Sequence, residues 1–290
     1  MLDNCSSNPE QPPLCYDLHC HSTASDGSLP PRELVTRAAA QGVTHLALTD
    51  HDTIRGLSEA SEAAAEVGVT LVPGVELSCQ WRSQTIHVVG LDFDGQHPDF
   101  VAAMATQLEN RWQRARQISE RLARLRVPDL LDRAVAKAGG EVPGRPHFAQ
   151  ALVEAGAVST VALAFKRYLG AGKPGDVKAW WPELAVVVSW IREAGGIAVL
   201  AHPRKYNLTA TKLRALIADF QAAGGQGLEV LTSGQSDADT AFLAALCRAQ
   251  GLMASQGSDF HTPGAAWCEL GKVPPLPSGL QPVWEGFRQG

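Results

Sequence analysis

The stretch VTHLALTDHDTIRGLSEASEAAAEVGVTLVPGVELS (43–78) contains two short apolar runs separated by an alanine-rich segment with helical spacing. The runs at 43–51 and 69–78 are rich in Val and Leu and end in polar residues, which is typical of buried strands. A strand, a helix and a second strand in this order form a crossover unit of a parallel sheet covered by helices. This stretch therefore predicts an α/β protein.

Five further runs repeat the pattern on both sides of this unit. The seven predicted strands lie at 16–21, 43–51, 69–78, 85–93, 196–203, 227–233 and 252–261. Segments with helical periodicity separate several of them, at 30–42, 53–68, 208–225 and 237–251. The alternation predicts a parallel sheet that is either open or closed into a barrel.

Residues 97–182 break this alternation. Apolar residues recur at every third or fourth position from Val101 to Leu125, which predicts one long amphipathic helix. Shorter helices are predicted at 129–139, 146–155 and 159–169. We therefore expect an all-helical insertion, residues 97–182, that covers the substrate site of a barrel formed by residues 15–96 and 183–290.

Charge and composition exclude several classes of protein. The chain has 25 Lys and Arg against 30 Asp and Glu, so it lacks the positive field that binding to duplex DNA requires. Six cysteines without a C-x-x-C pair favour reduced thiols. No uncharged apolar run has the length of a membrane span, and the N-terminus lacks the regions of a signal peptide. We expect a cytoplasmic protein that does not bind membranes, with residues 1–14 as a mobile leader.

Histidines and carboxylates recur at or beside the predicted strands. His19 and His21 are two residues apart, so in a strand both rings project from the same face, and Asp259 and His261 share this spacing. The candidate metal ligands are His19, His21, Asp26, His51, Glu76, His87, His202, Asp259 and His261. Nine ligands exceed the coordination number of one ion, which predicts two or three ions with a bridging carboxylate. The mixed imidazole and carboxylate ligands favour Mn²⁺, with Zn²⁺ and Fe²⁺ as alternatives.

Two positions qualify this set. His87 lies near the start of its predicted strand, whereas the other ligands lie close to strand ends or in the loops that follow them. His45 alternates with apolar neighbours inside a strand and His97 lies in a polar loop, so neither is included.

The order of these motifs carries a family resemblance. The motifs are DLHCHS (17–22), SDG (25–27), TDHD (49–52), GVE (74–76), IHVVG (86–90), AHP (201–203) and GSDFH (257–261). In this order they resemble the polymerase and histidinol phosphatase (PHP) family over nearly the whole chain. GRPHFAQALVEAG (144–156) and AFKRYLGAGKPGD (164–176) further resemble its subgroup of 3',5'-nucleoside bisphosphate phosphatases, which includes a 5'-3' exoribonuclease. The resemblance implies a distorted (β/α)7 barrel, in agreement with the seven predicted strands.

The resemblance also implies how the ligands are shared. One ion would be held by His19, His21, Glu76 and Asp259. A second would use Glu76 as a bridge, together with His87 and His202, and a third would be held by Asp26, His51 and His261. The residues expected to act in catalysis are the same set without His87. The implied reaction is hydrolysis of a phosphoester by a hydroxide that the metal ions activate.

An anchor for a second phosphate is predicted at the start of a helix in the insertion. Pro146 suits the first turn of a helix, which places Arg145 and His147 at a helix N-terminus, where unpaired N–H groups favour an anion. The predicted substrate-binding residues are Arg145, His147, Arg204 and Lys205. Arg111 and Arg114 on the long helix, together with Lys173, are weaker candidates for phosphate contact, because charged side chains on a long helix usually face solvent.

The predicted function is metal-dependent removal of the 3'-phosphate from 3',5'-nucleoside bisphosphates such as 3'-phosphoadenosine 5'-phosphate. The resemblance implies 5'-3' trimming of short 5'-phosphorylated RNA as a second activity. Three alternatives stay open. A phosphatase of the histidinol phosphate type would not need the insertion with GRPHF, and an amidohydrolase predicts a metal-bridging lysine that none of the strand ends supplies. A non-catalytic nucleotide-binding module would bind metal without turnover.

Overall fold

The computed structural model describes residues 14–123, 130–177, 181–265 and 267–288. The predicted leader, apart from its last residue, lies outside these ranges. The strands are Tyr16–Asp17 (β1), His45–Leu48 (β2), Thr70–Trp81 (β3), Gln84–Leu91 (β4), Ile197–Leu200 (β5), Gly227–Thr232 (β6) and Met253–Gly257 (β7). The α-helices are Pro31–Ala40 (α1), Leu57–Val67 (α2), Pro98–Ala123 (α3), Leu130–Lys137 (α4), Arg145–Glu154 (α5), Val161–Ala164 (α6), Leu184–Glu193 (α7), Ala210–Ala222 (α8) and Asp237–Gln250 (α9).

The seven strands form one sheet in the order β1 to β7, and this sheet closes almost completely into a barrel. The residues after β1 reach β7 through a bridge between Cys20 and Phe260 and through a 3.1 Å hydrogen bond from the Leu18 N–H to the Gln256 carbonyl. Helices α1, α2, α7, α8 and α9 pack against the outside of the barrel. The predicted seven-stranded α/β barrel is confirmed.

The expectation of a wholly parallel sheet is wrong for β4, which pairs antiparallel with both β3 and β5. Only Arg82 and Ser83 join β3 to β4, and a parallel pair would need a much longer crossover. Because β4 runs in the reverse direction, its first half lies at the same end of the barrel as the carboxyl ends of its neighbours. His87, which pairs with Ser78 of β3, therefore lies with the other predicted ligands despite its early position in the strand.

Aliphatic side chains fill the interior of the barrel below the ligands. They include Leu18, Ala47, Val72, Val89 and Val199. A short 3₁₀ turn at Val283–Gly286 closes the lower end, where the Trp284 indole stacks on the Tyr16 ring at 4.1 Å between centroids. The apolar interior thus stops near the carboxyl ends of the strands, and the predicted metal ligands lie above it.

Helices α3 to α6 pack around a core of their own. Its fully buried members include Ile118, Leu122, Phe148, Leu152 and Leu169. The last predicted helix of this region is divided into α6 and a single π-helical turn at Phe165–Leu169. None of the helices in the described ranges combines the length and the apolarity that a membrane span requires.

Candidate active site

The glutamate of β3, Glu76, lies at the centre of a cluster of five histidines. Its Oε2 atom is 3.2 Å from His19 Nε2, 3.3 Å from His21 Nε2 and 3.0 Å from His51 Nδ1. Its Oε1 atom is 2.9 Å from His87 Nδ1 and 2.8 Å from His202 Nε2. Each oxygen of one fully buried carboxylate therefore faces a different set of imidazoles, which is the arrangement of a bridging ligand.

Two aspartates complete the cluster on either side. Asp259 Oδ1 lies 3.3 Å from His21 Nε2 and 3.6 Å from His19 Nε2. Asp26 Oδ1 lies 3.4 Å from His261 Nε2 and 3.9 Å from His51 Nε2. The structure thus brings all nine predicted ligands together.

The geometry groups some ligands differently from the grouping that the resemblance implies. The groups whose ligand atoms lie within 4.8 Å of one another are His21, Asp26, His51 and His261, then His19, His21 and Glu76, and finally His51, Glu76 and His87. His51 belongs to two of them, because its Nδ1 atom faces Glu76 and its Nε2 atom faces Asp26. By contrast, His45 stacks on Tyr16 at 4.3 Å between ring centroids, outside the cluster as expected.

The cluster contains buried polar atoms that have no hydrogen-bond partner among the residues that the structure describes. They are His19 Nε2, both ring nitrogens of His21, Asp26 Oδ1, His51 Nδ1, Glu76 Oε2 and His202 Nδ1. Buried polar atoms are nearly always paired, since burial without a partner costs roughly 1–3 kcal/mol. Most of these atoms face one another across the same small volume, which is the pattern of ligands that converge on cations. The residues therefore fit divalent metal ions.

The electrostatics of the cluster agree with this fit. Burial opposes ionisation of Glu76, but the nearby His51, His87 and His19 hold its pKa well below the ordinary value. Burial lowers the pKa of the His51 ring to about 4, so the ring is neutral at neutral pH, as a metal ligand must be. Burial disfavours the charged form of His21, but Asp259 and Glu76 raise its pKa to about 9. The buried carboxylates thus stay ionised and favour positive charge in the cluster, which protons or metal cations can supply.

A second layer of carboxylates holds the ligands in place, and sequence reasoning missed it. Glu229 of β6 is buried. Its Oε1 atom lies 2.9 Å from His19 Nδ1, and its Oε2 atom accepts the His202 N–H at 2.5 Å. Partners of this kind fix the orientation of a ligand ring. The sequence does contain an indication of this role: Glu229 is a carboxylate inside the apolar run GLEVLTS (227–233), where an unpaired charge would be costly.

Asp50 does the same for the loop that carries Asp26. Its carboxylate accepts hydrogen bonds from the Ser22 N–H and hydroxyl, at 2.8 and 2.6 Å, and from the Ser25 hydroxyl at 2.6 Å. This loop leads directly from His21 to Asp26, so Asp50 determines where the Asp26 carboxylate lies.

A cavity of about 390 Å³ opens beside the cluster, between the barrel and the helices of residues 97–182. The barrel contributes Asp26, His51 and His87, and the helical region contributes Arg111, Arg114 and Arg145. Arg111 and Arg114, the weaker candidates for phosphate contact, therefore line this cavity rather than face solvent. Gln107 and Arg111 of helix α3 donate hydrogen bonds to Asp52, in the loop after β2, so this polar face of α3 is turned towards the cluster.

Asp52 attaches α3 to the barrel at this point. Its buried carboxylate accepts hydrogen bonds from the Ser78 N–H at 2.6 Å, the Gln107 amide at 2.8 Å and the Arg111 Nε–H at 2.7 Å. Asp52 has a φ of 53°, a left-handed conformation that Asp tolerates better than most residues. It directly follows His51, so the same turn places a ligand and orients an arginine.

Two of the three arginines have no acidic partner in the described part of the chain. Within the described ranges, no carboxylate oxygen lies within 4 Å of the guanidinium nitrogens of Arg114 or Arg145, and Arg114 Nε donates only to the Val177 carbonyl. Burial and the neighbouring charges of Arg145 and Arg111 lower the pKa of Arg114 to about 9. Such mutual repulsion is relieved when an anion binds between the guanidinium groups.

The other predicted substrate contacts lie elsewhere on the rim. His147 is buried at the start of α5, where its Nδ1 atom accepts the Gly144 N–H at 3.0 Å, and it lines a separate cavity of about 470 Å³. Arg204 donates to Asp239 at 2.6 Å and lies over the Phe242 ring. The Lys205 ammonium contacts the Asp259 carboxylate. Of the four, Arg145 alone lines the cavity beside the cluster.

Comparison with known proteins gives close relatives over nearly the full length. The chain is 50% identical over 272 residues to a 5'-3' exoribonuclease of Haemophilus influenzae, which covers 94% of this chain and 98% of that protein. It is 44% identical over 269 residues to a 3',5'-nucleoside bisphosphate phosphatase of Chromobacterium violaceum, which covers 92% of this chain and 94% of that protein.

Two solved structures share the fold over a similar length. One is a Chromobacterium violaceum protein described as an amidohydrolase, with bound sulfate and no metal. It matches with a TM-score of 0.86 at 43% identity, over 93% of this chain and 94% of that chain. A Bifidobacterium adolescentis protein assigned as a metal-dependent phosphoesterase has a TM-score of 0.78 at 30% identity, with 94% of each chain covered.

A family model described as the PHP domain matches residues 17–168, which is more than half of the chain. This match includes His19, His21, Asp26, His51, Glu76 and His87. Together with the relatives above, it confirms the family that the motifs resemble. The chain belongs to the PHP domain family.

Proposed function

We propose that the protein hydrolyses the 3'-phosphate of 3',5'-nucleoside bisphosphates with the help of divalent cations, giving a 5'-mononucleotide and phosphate. One observation carries this proposal. A cavity lined by Arg111, Arg114 and Arg145 opens directly onto the histidine and carboxylate cluster. A substrate that fits both must carry one phosphate for the cluster and a second anionic group for the arginines. The relative named as a 3',5'-nucleoside bisphosphate phosphatase supports this choice of substrate.

The ions would be held by the nine clustered ligands, His19, His21, Asp26, His51, Glu76, His87, His202, Asp259 and His261. Two or three ions fit the number of ligands, and the absence of a thiolate among them favours Mn²⁺ over a structural zinc. When bound, such ions supply Lewis-acid activation of the phosphoryl group and of water. Glu229 and Asp50 keep the ligands oriented for this purpose.

The arginines would position the substrate. Arg145 and Arg114 bind the phosphate that is not cleaved, and Arg111 is held towards the same cavity by its bond to Asp52. Binding energy from this remote group aligns the reacting phosphate over the cluster, which accelerates the reaction without further contacts at phosphorus. In this proposal residues 97–182 act as a substrate-binding cap.

A second activity follows from the same geometry. The 5'-phosphate of a short RNA presents the arginine cavity with the same group as the bisphosphate, and the next phosphodiester then lies over the cluster. The relative named as a 5'-3' exoribonuclease supports this extension.

The five described cysteines are all free, which favours a reducing compartment and hence the cytoplasm.

Phosphate release tests the proposal. The purified protein is chelated, Mn²⁺ is added back, and turnover is measured with 3'-phosphoadenosine 5'-phosphate, 3'-AMP, histidinol phosphate and a 5'-phosphorylated RNA oligomer. We expect Mn²⁺-dependent release from the bisphosphate and much less from 3'-AMP, because 3'-AMP has no group for the arginines.

Each alternative predicts a different result. Equal turnover of 3'-AMP would contradict the anchor, and preference for histidinol phosphate would point to the other type of phosphatase. Metal binding without any turnover would point to a binding module. An amidohydrolase is disfavoured by the site itself, since the bridging position that it gives to a lysine is taken by Glu76.

A further inference from the structure

Trp267 is an unusually exposed aromatic residue. Its relative exposure is 69%, the highest of the large hydrophobic side chains in the described residues. The six-membered ring of its indole lies against Gly234, where a Cβ atom would meet ring carbons at 3.2 to 3.9 Å. Gly234 also has a φ of 72°, which other residues rarely adopt. The chain thus supports the indole on one side while leaving most of its surface to solvent.

The loop that carries Trp267 belongs to the mouth of the barrel. It begins at the carboxyl end of β7 with Asp259 and His261, and it folds back so that the Cys268 thiol donates to the Ser258 carbonyl at 3.3 Å. Gly234 lies in the loop that follows β6. The indole therefore lies between the loops that follow β6 and β7, and the second of these loops also carries Asp259 and His261 of the candidate metal centre.

This wall lies opposite the arginine cavity. Helix α3 attaches to the barrel through Asp52 after β2, and the barrel residues that line the cavity lie after β1 (Asp26), after β2 (His51) and around the start of β4 (Ser83, Gln84, Thr85 and His87). In a barrel with the strand order β1 to β7, strands β6 and β7 face β2 to β4 across the opening. Lys205, half-exposed and in contact with Asp259, adds a positive charge on the Trp267 side.

We propose that Trp267 is a stacking platform for the base of the nucleotide on the 3' side of the cleaved phosphodiester, with Lys205 near the phosphate that links it. This inference rests on the proposed function. The arginines hold the 5'-phosphate on one side of the cluster, so an RNA that crosses the cluster must leave over the opposite wall. Exposed aromatic rings, combined with basic side chains along the path of the backbone, are the usual platforms for single-stranded nucleic acid. A bisphosphate ends at the cluster and does not reach Trp267.

Matched substrates and variants test the platform. The value of kcat/KM is measured for Trp267→Ala and Trp267→Phe with the bisphosphate, with a 5'-phosphorylated trinucleotide, and with the same trinucleotide lacking its second base. Val161→Ala removes another exposed apolar side chain, on α6, and serves as the control. We expect Trp267→Ala to lower kcat/KM for the trinucleotide by about 5- to 100-fold, and Trp267→Phe to restore most of it.

The bisphosphate separates the possible results. We expect kcat/KM for the bisphosphate to change by no more than about twofold in Trp267→Ala. The same holds for the trinucleotide that lacks its second base, because it has no base to stack even on the wild-type protein. Equal losses on bisphosphate and trinucleotide, or no loss on either, would overturn the platform while leaving the proposed function intact. Wild-type protein that hydrolyses the bisphosphate but not the trinucleotide would also overturn it. Absence of bisphosphate turnover in the wild type would contradict the proposed function itself.

Discussion

The barrel and the helical region differ most clearly in charge. Residues 97–182 contain 13 Lys and Arg against 8 Asp and Glu, whereas the rest of the chain contains 12 against 22. The acidic part carries the cluster that fits cations, and the basic part carries the arginines that fit an anion. A protein with a net charge of −5 can therefore bind a polyanionic substrate, because the two charges are segregated on opposite sides of one cavity.

Replacing the Glu76 carboxylate should abolish both metal binding and turnover at the cluster. Glu76→Gln removes the charge that faces five histidines while keeping the size of the side chain. We expect activity to fall to the level of the chelated protein and the metal content to drop, since the two oxygens of this carboxylate face different sets of imidazoles. Turnover and elemental analysis measure the two effects. Glu193→Gln, an exposed glutamate of α7, is the control, and a Glu76→Gln protein with full metal content and activity would contradict the assignment.

Arg145→Ala tests the basic side without touching the cluster. Loss of a charge-assisted contact to phosphate costs about 1.5–3 kcal/mol, so kcat/KM for the bisphosphate should fall by roughly 10- to 150-fold. Turnover of 3'-AMP should stay nearly unchanged, because that substrate lacks the anchored phosphate. Arg116→Ala, an exposed arginine of α3, serves as the control. A proportional loss on both substrates would show that Arg145 does not distinguish them.

Glu229→Gln tests the carboxylate that supports the cluster from behind. The variant keeps the shape of the side chain but weakens its contacts with His19 and with the His202 N–H. We expect metal affinity to fall by about 10- to 100-fold, with activity restored at saturating Mn²⁺. Metal titration followed by turnover distinguishes this from a direct catalytic role, for which added Mn²⁺ would restore nothing.

Asp52→Asn tests the connection between the two sides and should have the smallest effect. Asn still accepts hydrogen bonds from Ser78 and Gln107 but loses the charge that orients Arg111. We expect KM for the bisphosphate to rise roughly fivefold, about 1 kcal/mol, with kcat and metal content nearly unchanged. Asp99→Asn, at the exposed start of α3, is the control. A lower kcat with an unchanged KM would place the role of Asp52 in the metal centre instead.

The two regions also differ in how far the sequence predicted them. In the barrel, His19 and His21 lie beyond the end of β1, and Asp259 and His261 lie beyond the end of β7, so the strand spacing used to predict them does not itself place them. Their position after the carboxyl ends of strands was the informative signal, because the loops at those ends converge. In the helical region, the usual exposure of helical charges made Arg111 and Arg114 only weaker candidates. A helix has no inherent outer face, and its packing decides which polar side is covered.

The sequence by itself determined the family, the seven strands, the helical region and the nine candidate ligands, because periodicity and residue type are local properties of the chain. Only the tertiary structure decided the direction of β4, the joining of the ligands through Glu76, the supporting role of Glu229 and the turn of three arginines towards one cavity. These features depend on contacts between residues far apart in the sequence. Such contacts form only when the barrel closes and α3 packs against it.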